Sequence, residues 1–322
     1  MAPAASLSIV TLTANPSFDR TVALPGPLER GAVQRVDAMT SQAGGKGVNI
    51  SRAAVGAGLT TLAVLPALPD DPFVHELIAA GIDCRPSPPA GEIRVNLTLT
   101  EPDGTTTKLN GPGAAVDAEH LEALAETLLQ HAVGGSWTVL AGSLPPGVPE
   151  SFYADLVPRL RAVTRVAVDT SEAPLAALVD RLPQSAPDLL KPNAEELGSV
   201  TGTDAAALEA DPRAAAKAAR TLVDCGVGAV LATLGGRGAV LVDADGAWFA
   251  PAPPTTVVST VGAGDCTLFG YLLAELRGLP APDRLALAVA YGSAAAGLPG
   301  TTIPGPGDLH PERVAVQRLD QS

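Results

Sequence analysis

From Leu7 onward, short β-branched runs alternate with alanine- and leucine-rich stretches of helical length, and this alternation constrains the fold more than any other feature. "LSIVTLTA", "TLAVLPAL", "SWTVLAG" and "RVAVDTS" read as strands. "GVNISRAAVGAGL", "FVHELIAAG", "AEHLEALAETLLQHA" and "ESFYADLVPRLRAV" read as the helices that accompany them, and "RAAAKAARTLVDCG", "CTLFGYLLAELRG" and "LALAVAYGSAAAG" continue the helical series. Strands spaced by helices of this length predict a mostly parallel sheet covered on both faces. Two patches break the rhythm, Asn15–Asp37 and Glu92–Gly111. The second, "EIRVNLTLTEPDGTTTKLNG", alternates around a PDG turn and reads as an antiparallel hairpin. Brought together, the two patches would form a small sheet projecting as a lid over a site; kept apart, they are surface hairpins. No internal repeat or low-complexity linker divides the 322 residues. The expectation is therefore one α/β domain over 1–322, with a lid from about 15–37 and 92–111.

Charge and composition narrow the function. A net charge of −13 argues against general affinity for nucleic acid or for an anionic membrane surface, while leaving room for a few local cations in a cleft. Lysine is scarce, and two of the four, Lys46 and Lys191, stand inside glycine- or proline-marked motifs. No uninterrupted apolar run reaches the ~18 residues of a membrane-spanning helix, and the start lacks the basic segment of a secretory signal, so a cytoplasmic protein is expected. Three cysteines far apart, without CxxC, fit a reducing compartment, and the four histidines have no ligand spacing for structural zinc.

Four motifs could carry chemistry. In "QAGGKGVNISRAAVGAGL", Gly44, Gly45 and Gly47 flank Lys46 directly before a helix, offering backbone N–H groups and a cation to an anionic or polar ligand. The GxxxxGK[ST] spacing of a Walker A loop fails, and a simple glycine-rich turn is equally compatible; Asn49, one turn on, can point into the same cleft. Asp169 ends a strand, where open α/β sheets place their sites. "LLKPNAEEL" then sets Lys191, Asn193 and Glu196 together, a combination suited to phosphate and a hydrated hard cation. The same Asn193–Glu196 pair also reads as a capping box. "ATLGGRGAVLV" is a strand, a glycine-rich turn and a strand, a shelf for a nucleotide or an ordinary tight hairpin. No GxGxxG follows a strand, which removes the dinucleotide fingerprint and with it a nicotinamide dehydrogenase. In "STVGAGDCTLFG", the N–H groups from Gly262 to Asp265 at a helix start make an anion hole, and Asp265 reads either as a cap or as a proton acceptor. A helix N-terminus is expected to lower the pKa of that aspartate.

"GGKGVNISRA" and "VVSTVGAGDCTLFGYL", in this order and with "KPNAEEL" and "TLGGRGA" between them, resemble the two motifs of the pfkB/ribokinase-type carbohydrate kinases. "TLTANPSFDRTV", "IRVNLTLTEPDGTTTKLNGPG" and "AGSLPPG" resemble that family's phosphosugar branch. The resemblance implies a ribokinase-like three-layer α/β/α sandwich with a small β-sheet lid, often dimeric through the lid. It implies ATP and Mg2+ as the phosphoryl donor system and a phosphosugar as acceptor. Fructose 1-phosphate is the expected acceptor, with tagatose 6-phosphate or fructose 6-phosphate as alternatives and a non-catalytic sugar-phosphate sensor as a reading of another class. Carried over position by position, Asp265 is the base, with Gly262, Ala263 and Gly264 as the anion hole. Asp19, Gly45, Lys46 and Asn49 hold sugar hydroxyls, Arg94 the existing phosphate, and Ser143 the cleft wall. Lys191 approaches the ATP phosphates, Asn193 and Glu196 organise Mg2+ through water, and Thr233, Gly235, Gly238 and Ser293 line the nucleotide. Cys266 stands where such kinases often carry serine and is given no role.

Overall fold

A computed structural model describes residues 9–319; Leu7 and Ser8 of the first expected strand, and the segment before them, lie outside that range. In chain order the first elements are β1 (Ile9–Thr13), β2 (Ser17–Ala23), β3 (Ala38–Gly44), α1 (Lys46–Gly56), β4 (Thr61–Pro66), α2 (Pro72–Ala79) and β5 (Asp83–Ser87). Next come β6 (Arg94–Thr100), β7 (Thr106–Asn110), α3 (Ala118–Ala132), β8 (Trp137–Ala141), α4 (Phe152–Arg161), β9 (Arg165–Asp169) and α5 (Glu172–Asp180). The chain continues through β10 (Leu189–Leu190), α6 (Ala194–Thr201), α7 (Ala205–Ala210), α8 (Pro212–Asp224) and β11 (Ala229–Thr233). It closes with β12 (Gly238–Asp243), β13 (Gly246–Pro251), α9 (Ala263–Leu276), α10 (Ala281–Ala296) and β14 (Gln317–Arg318).

The large sheet runs β14-β13-β12-β11-β10-β9-β8-β1-β4-β5. From β11 to β5 every neighbouring pair is parallel, and β12, β13 and β14 extend it antiparallel. The pleat explains why β1 is buried along its whole length: Val10 and Leu12 join the core under α3 to α8, while Ile9 faces the core under α1, α9 and α10. On β12, Val240 and Val242 turn to the first core and Ala239 and Leu241 to the second. Two apolar faces need two helical layers, which gives the three-layer sandwich. The strand order reverses between β1 and β8: the chain steps one way through β4 and β5, then the other way through β9, β10 and β11. A crevice at the carboxyl ends of these strands is where such sheets bind ligands.

The second sheet has the order β3-β2-β6-β7. The hairpin expected around the PDG turn is β6–β7, antiparallel from Asn96↔Asn110 to Thr100↔Thr106. Of the Asn15–Asp37 patch only β2 is a strand, and the sheet takes β3, at 38–44, from beyond it. "AMTSQAG" has little intrinsic strand character; its register against β2, Ser17↔Gly44 through Ala23↔Ala38, supplies the order. Several contacts tie this sheet to the body, among them Thr301 Oγ1 donating to Gln42 Oε1 of β3 at 2.8 Å. Phe18 meets Phe73 of α2 edge-on, with 5.3 Å between ring centroids. Glu76 Oε1 accepts hydrogen bonds from the Ala43 N–H (2.8 Å) and from Arg52 Nη2 (2.9 Å), joining β3, α2 and α1.

Candidate active site

A cleft of about 520 Å³ opens at the carboxyl ends of β1, β8, β10 and β11, between the large sheet and the polar face of the small one. That volume is in the range of small-molecule sites. Of the residues singled out from sequence, Asp19, Gly45, Lys46, Asn49, Arg94 and Ser143 line it, as do Lys191, Asn193, Glu196, Thr233, Gly262, Gly264 and Asp265. Positions up to 246 residues apart along the chain thus converge on one space (Asp19 to Asp265).

Asp265 sits in the first turn of α9, whose N-cap is Gly262 at φ 79°, a left-handed conformation that a side chain would strain. No side chain caps this helix, so the capping reading of Asp265 does not hold. Its Oδ2 instead accepts a hydrogen bond from Asn49 Nδ2 at 2.8 Å. The carboxylate is buried, and its pKa is pushed up to about 6, first by burial and then by the charge of Asp169; Lys46, the Asn49 hydrogen bond and Lys191 pull the other way. This corrects the expectation from the helix terminus alone: loss of solvent outweighs one helix end.

Asp169, at the end of β9, is fully buried and joins the two motif lysines. Lys46 Nζ donates to its Oδ1 at 2.6 Å, and Lys191 Nζ stands 3.2 Å from Oδ2. Burial works against the charged form of Lys46, but Asp169 and Asp265 more than offset it and hold the ammonium above its ordinary range. For Asp169 the two lysines likewise overcome burial and keep the carboxyl below the usual carboxylate range. Lys191 also faces the anion loop, since a Cβ on Gly264 would lie 3.5 Å from its Nζ. Lys46 and Asn49 reach the cleft because α1 packs unusually close to β1. A Cβ on Gly47 would meet Thr13 Oγ1 at 2.4 Å and the Leu12 carbonyl oxygen at 2.8 Å, so only glycine permits that approach.

Asn193 and Glu196 form the expected capping box: Asn193 Oδ1 accepts from the Glu196 N–H, and Glu196 Oε2 from the Asn193 N–H, each at 2.8 Å. Both remain on the cleft wall. Thr233 is tied to this turn by its N–H, which donates to the Pro192 carbonyl at 3.0 Å. Gly235, Gly238, Ser293 and Ala263 do not line the cleft. Gly235 sits at φ 54°, a conformation that disfavours a side chain, and a Cβ on Gly238 would lie 2.0 Å from the Ala250 carbonyl oxygen, so backbone conformation explains the first and close backbone packing the second. Ser293 lies within α10, and Ala263 opens α9 with its carbonyl accepting from Thr267 Oγ1.

On the small-sheet side of the cleft, Arg94 Nη1 donates to the Gly111 carbonyl at 3.0 Å, and its Nε is buried without a hydrogen-bond partner. Burial lowers the Arg94 pKa, opposed by Asp19, and the guanidinium stays charged. Asp19 Oδ1 accepts from Ser17 Oγ (2.8 Å) and Asn96 Nδ2 (3.0 Å). Thr13 Oγ1, Asn49 Oδ1 and Asn96 Oδ1 are, like Arg94 Nε, buried cleft atoms without partners. Native proteins rarely strand such groups, and their occurrence on residues lining both sides of the cleft fits a site that binds a polar ligand. Sequence reading passed over Thr13, Asn15 and Asn96, and named Asp169 only as a strand end. Asn96 was within reach, being two residues after Arg94 on a strand and so on the same face.

Comparison with known proteins adds the following. Residues 12–307 match the model described as pfkB family carbohydrate kinase. The chain is 38% identical to a 1-phosphofructokinase of Rhodobacter capsulatus over 97% of its own length and 96% of the relative's. It is 36% identical to a 1-phosphofructokinase of Xanthomonas campestris pv. campestris, covering 84% and 85% of the two chains. Among solved structures, phosphofructokinase-2 of Escherichia coli in complex with substrates and products superposes with TM-score 0.84 at 28% identity, over 94% of this chain and 96% of that one. The fold is therefore the ribokinase-like α/β fold, a large mostly parallel sheet with helices and a small separate sheet.

Proposed function

Because this chain belongs to the pfkB family of carbohydrate kinases, we propose that its cleft transfers the γ-phosphoryl group of ATP to fructose 1-phosphate, giving fructose 1,6-bisphosphate and ADP. An ATP-dependent sugar kinase follows from the family itself, and relatives at 36–38% identity named 1-phosphofructokinase support this acceptor. One observation carries the reading: a buried carboxylate with a raised pKa stands beside a glycine-marked helix start and Lys191, in the same cleft that Arg94 lines.

The chemistry follows from these groups. The N–H groups of Gly262 and Gly264 meet the charge that spreads over the oxygens of the transferring phosphoryl group, and Lys191 adds a cation. Lys46 adds a second, held by Asp169 at the sugar end. Asp265 accepts the proton of the attacking hydroxyl as the oxygen–phosphorus bond forms. A loose transition state needs little early proton removal, so a carboxylate of moderate basicity suffices. Arg94 holds the phosphate that the sugar already carries, while Asp19, Gly45 and Asn49 hold its hydroxyls and Ser143 closes the wall. Thr233, Lys191 and Asn193 serve the nucleotide. The small sheet acts as a lid whose closure keeps water from the γ-phosphate.

Asn193 and Glu196 suit Mg2+ only through its water shell. The capping box already engages one oxygen of each, and among the described residues no group of three or more His, Cys, Asp or Glu side chains could hold a metal ion. Mg2+ retains several waters and sits on substrate phosphates, so the donor set fits; bound there, it would neutralise charge on the β- and γ-phosphate oxygens.

A coupled ADP-release assay across fructose 1-phosphate, fructose 6-phosphate, tagatose 6-phosphate and fructose tests the reading. The highest kcat/KM is expected with fructose 1-phosphate, and a preference for unphosphorylated fructose would refute it. Arg94→Ala is expected to raise KM for the phosphosugar by about 10²-fold, the scale of a lost charge-assisted pair, with KM for ATP little changed. Equal changes in both constants would remove Arg94 from the phosphate site. On the far side of the small sheet, Met39 and Leu109 are 62% and 55% exposed. Such a face is suited to a second copy, so sedimentation is expected to give a dimer that Met39→Glu dissociates.

A further inference from the structure

Three buried hydroxyls lie beneath α1, off the cleft lining, and nothing in the chemistry above uses them. Thr11 of β1, Ser51 of α1 and Thr61 of β4 are 0%, 0% and 5% exposed. Ser51 Oγ lies 2.9 Å from Thr11 Oγ1 and 3.0 Å from Thr61 Oγ1, so one helix hydroxyl bridges two neighbouring strands. Around them the packing is apolar, with Ile9 on β1, Ala63 and Leu65 on β4, and Ile50 and Ala54 on α1. Apolar side chains of the same shape would hold α1 about as firmly, since a hydrogen bond inside the protein replaces one made to water. What apolar packing lacks is direction. A helix resting on aliphatic side chains can slide along a strand, whereas a hydroxyl held by two partners tolerates only small shifts.

The position of α1 decides two cleft residues. Lys46 opens the helix and Asn49 follows in its first turn, after an N-cap, Gly45, that makes no side-chain cap bond. Lys46 Nζ meets Asp169 Oδ1 at 2.6 Å, and Asn49 Nδ2 meets Asp265 Oδ2 at 2.8 Å. Gly47 sets how near α1 comes to β1, through its approach to Thr13. Ser51, one turn on, is bonded to Thr11 on the same face of that strand. The Arg52–Glu76 ion pair ties α1 to α2 rather than to β1.

We propose that Thr11, Ser51 and Thr61 are positioning residues for phosphoryl transfer: their hydroxyl bridge fixes the register of α1 on β1 and β4, and so places Lys46 and Asn49 against the acceptor and the Asp265 carboxylate. The assignment rests on the kinase reading above, but not on which phosphosugar is the acceptor. A misplacement of about 1 Å at reacting groups can cost 10²-fold in rate, so a loosened register is read in catalysis before it is read in stability.

The test is Thr11→Val/Ser51→Ala/Thr61→Val, which removes all three hydroxyls together, keeps nearly the same shape and leaves no member of the bridge unmatched. The variant is expected to melt within about 3 °C of the wild type, or above it. With the best acceptor of the four sugars assayed above, kcat is expected to fall about 10-fold and KM for that acceptor to rise about 3-fold. KM for ATP stays within about 2-fold, because Lys191, Asn193 and Thr233 lie on other elements. Wild-type kinetics in the folded variant would overturn the assignment. A lower melting temperature with kcat per folded molecule unchanged would also overturn it, leaving the bridge as packing. So would equal rises in both KM values, since the effect would then not pass through α1. If the triple variant fails to fold, Thr61→Val, which cuts one of the two bonds, is read by the same criteria, with a loss of about 3-fold in kcat expected. A wild type inactive on every acceptor overturns the kinase reading and this assignment with it; an active wild type beside an unaffected variant overturns this assignment alone.

Discussion

Asp265→Asn is expected to lower kcat by about 10²–10⁴-fold, the usual worth of a positioned proton acceptor, while binding of ATP measured by calorimetry stays within about 2-fold. Asparagine keeps the size of the side chain and can still accept from Asn49 Nδ2, so a large loss would isolate the proton-accepting role. The wild-type kcat/KM should rise with pH through about 6 and level off above it, because burial raises the Asp265 pKa to that value and only the ionised form accepts a proton. The sign for stability is opposite to the sign for activity. A carboxyl whose folded pKa lies above its unfolded value of ~3.9 favours the folded state below that value, and this contribution is lost as pH rises through about 6. At pH 7.5 the variant should therefore melt a few degrees above the wild type, and near pH 4 the two should coincide. A variant with near-wild-type turnover would exclude Asp265 as the base.

Asp169→Ala is expected to cost about 3–5 kcal/mol in urea unfolding, the range for removing one partner of a buried ion pair. The two lysines do not share that cost equally. The Lys46 side chain is 35% exposed and can turn to water, whereas Lys191 is 4% exposed and would keep an uncompensated ammonium. Asp169→Ala/Lys191→Met should recover much of the stability and none of the activity. If the double variant is no more stable than the single one, the buried charge of Lys191 is not the cause. Because Asp169 titrates below the ordinary carboxylate range, its contribution is present above the unfolded pKa of ~3.9 and is lost as pH falls below it.

Much of this architecture is legible in the chain. Strand–helix alternation, the PDG hairpin and the glycine-marked motifs at Lys46 and Asp265 are local signals, produced by propensity and by periodicity. The elements that escaped reading are those whose order comes from neighbours. β3 is a polar run fixed by its register on β2, β5 contains a proline and two charged residues, and β10 is only two residues between β9 and β11. The same division holds in the cleft. Glycine patterns and the KPN turn found most of the wall, while Gly235 and Gly238, alike in sequence, lie off the cleft lining.

The sequence by itself determined the layer architecture, the family resemblance and which residues bear the reactive groups, because each depends on composition and spacing along the chain. Only the tertiary structure decided their chemistry. Asn49 meets Asp265 across 216 positions, and Lys46 meets Asp169 across 123. Burial and the charges at those junctions raise one aspartate's proton affinity and lower the other's. The physical reason is that solvation and Coulomb energy depend on distance and depth in space, which residue order alone does not specify.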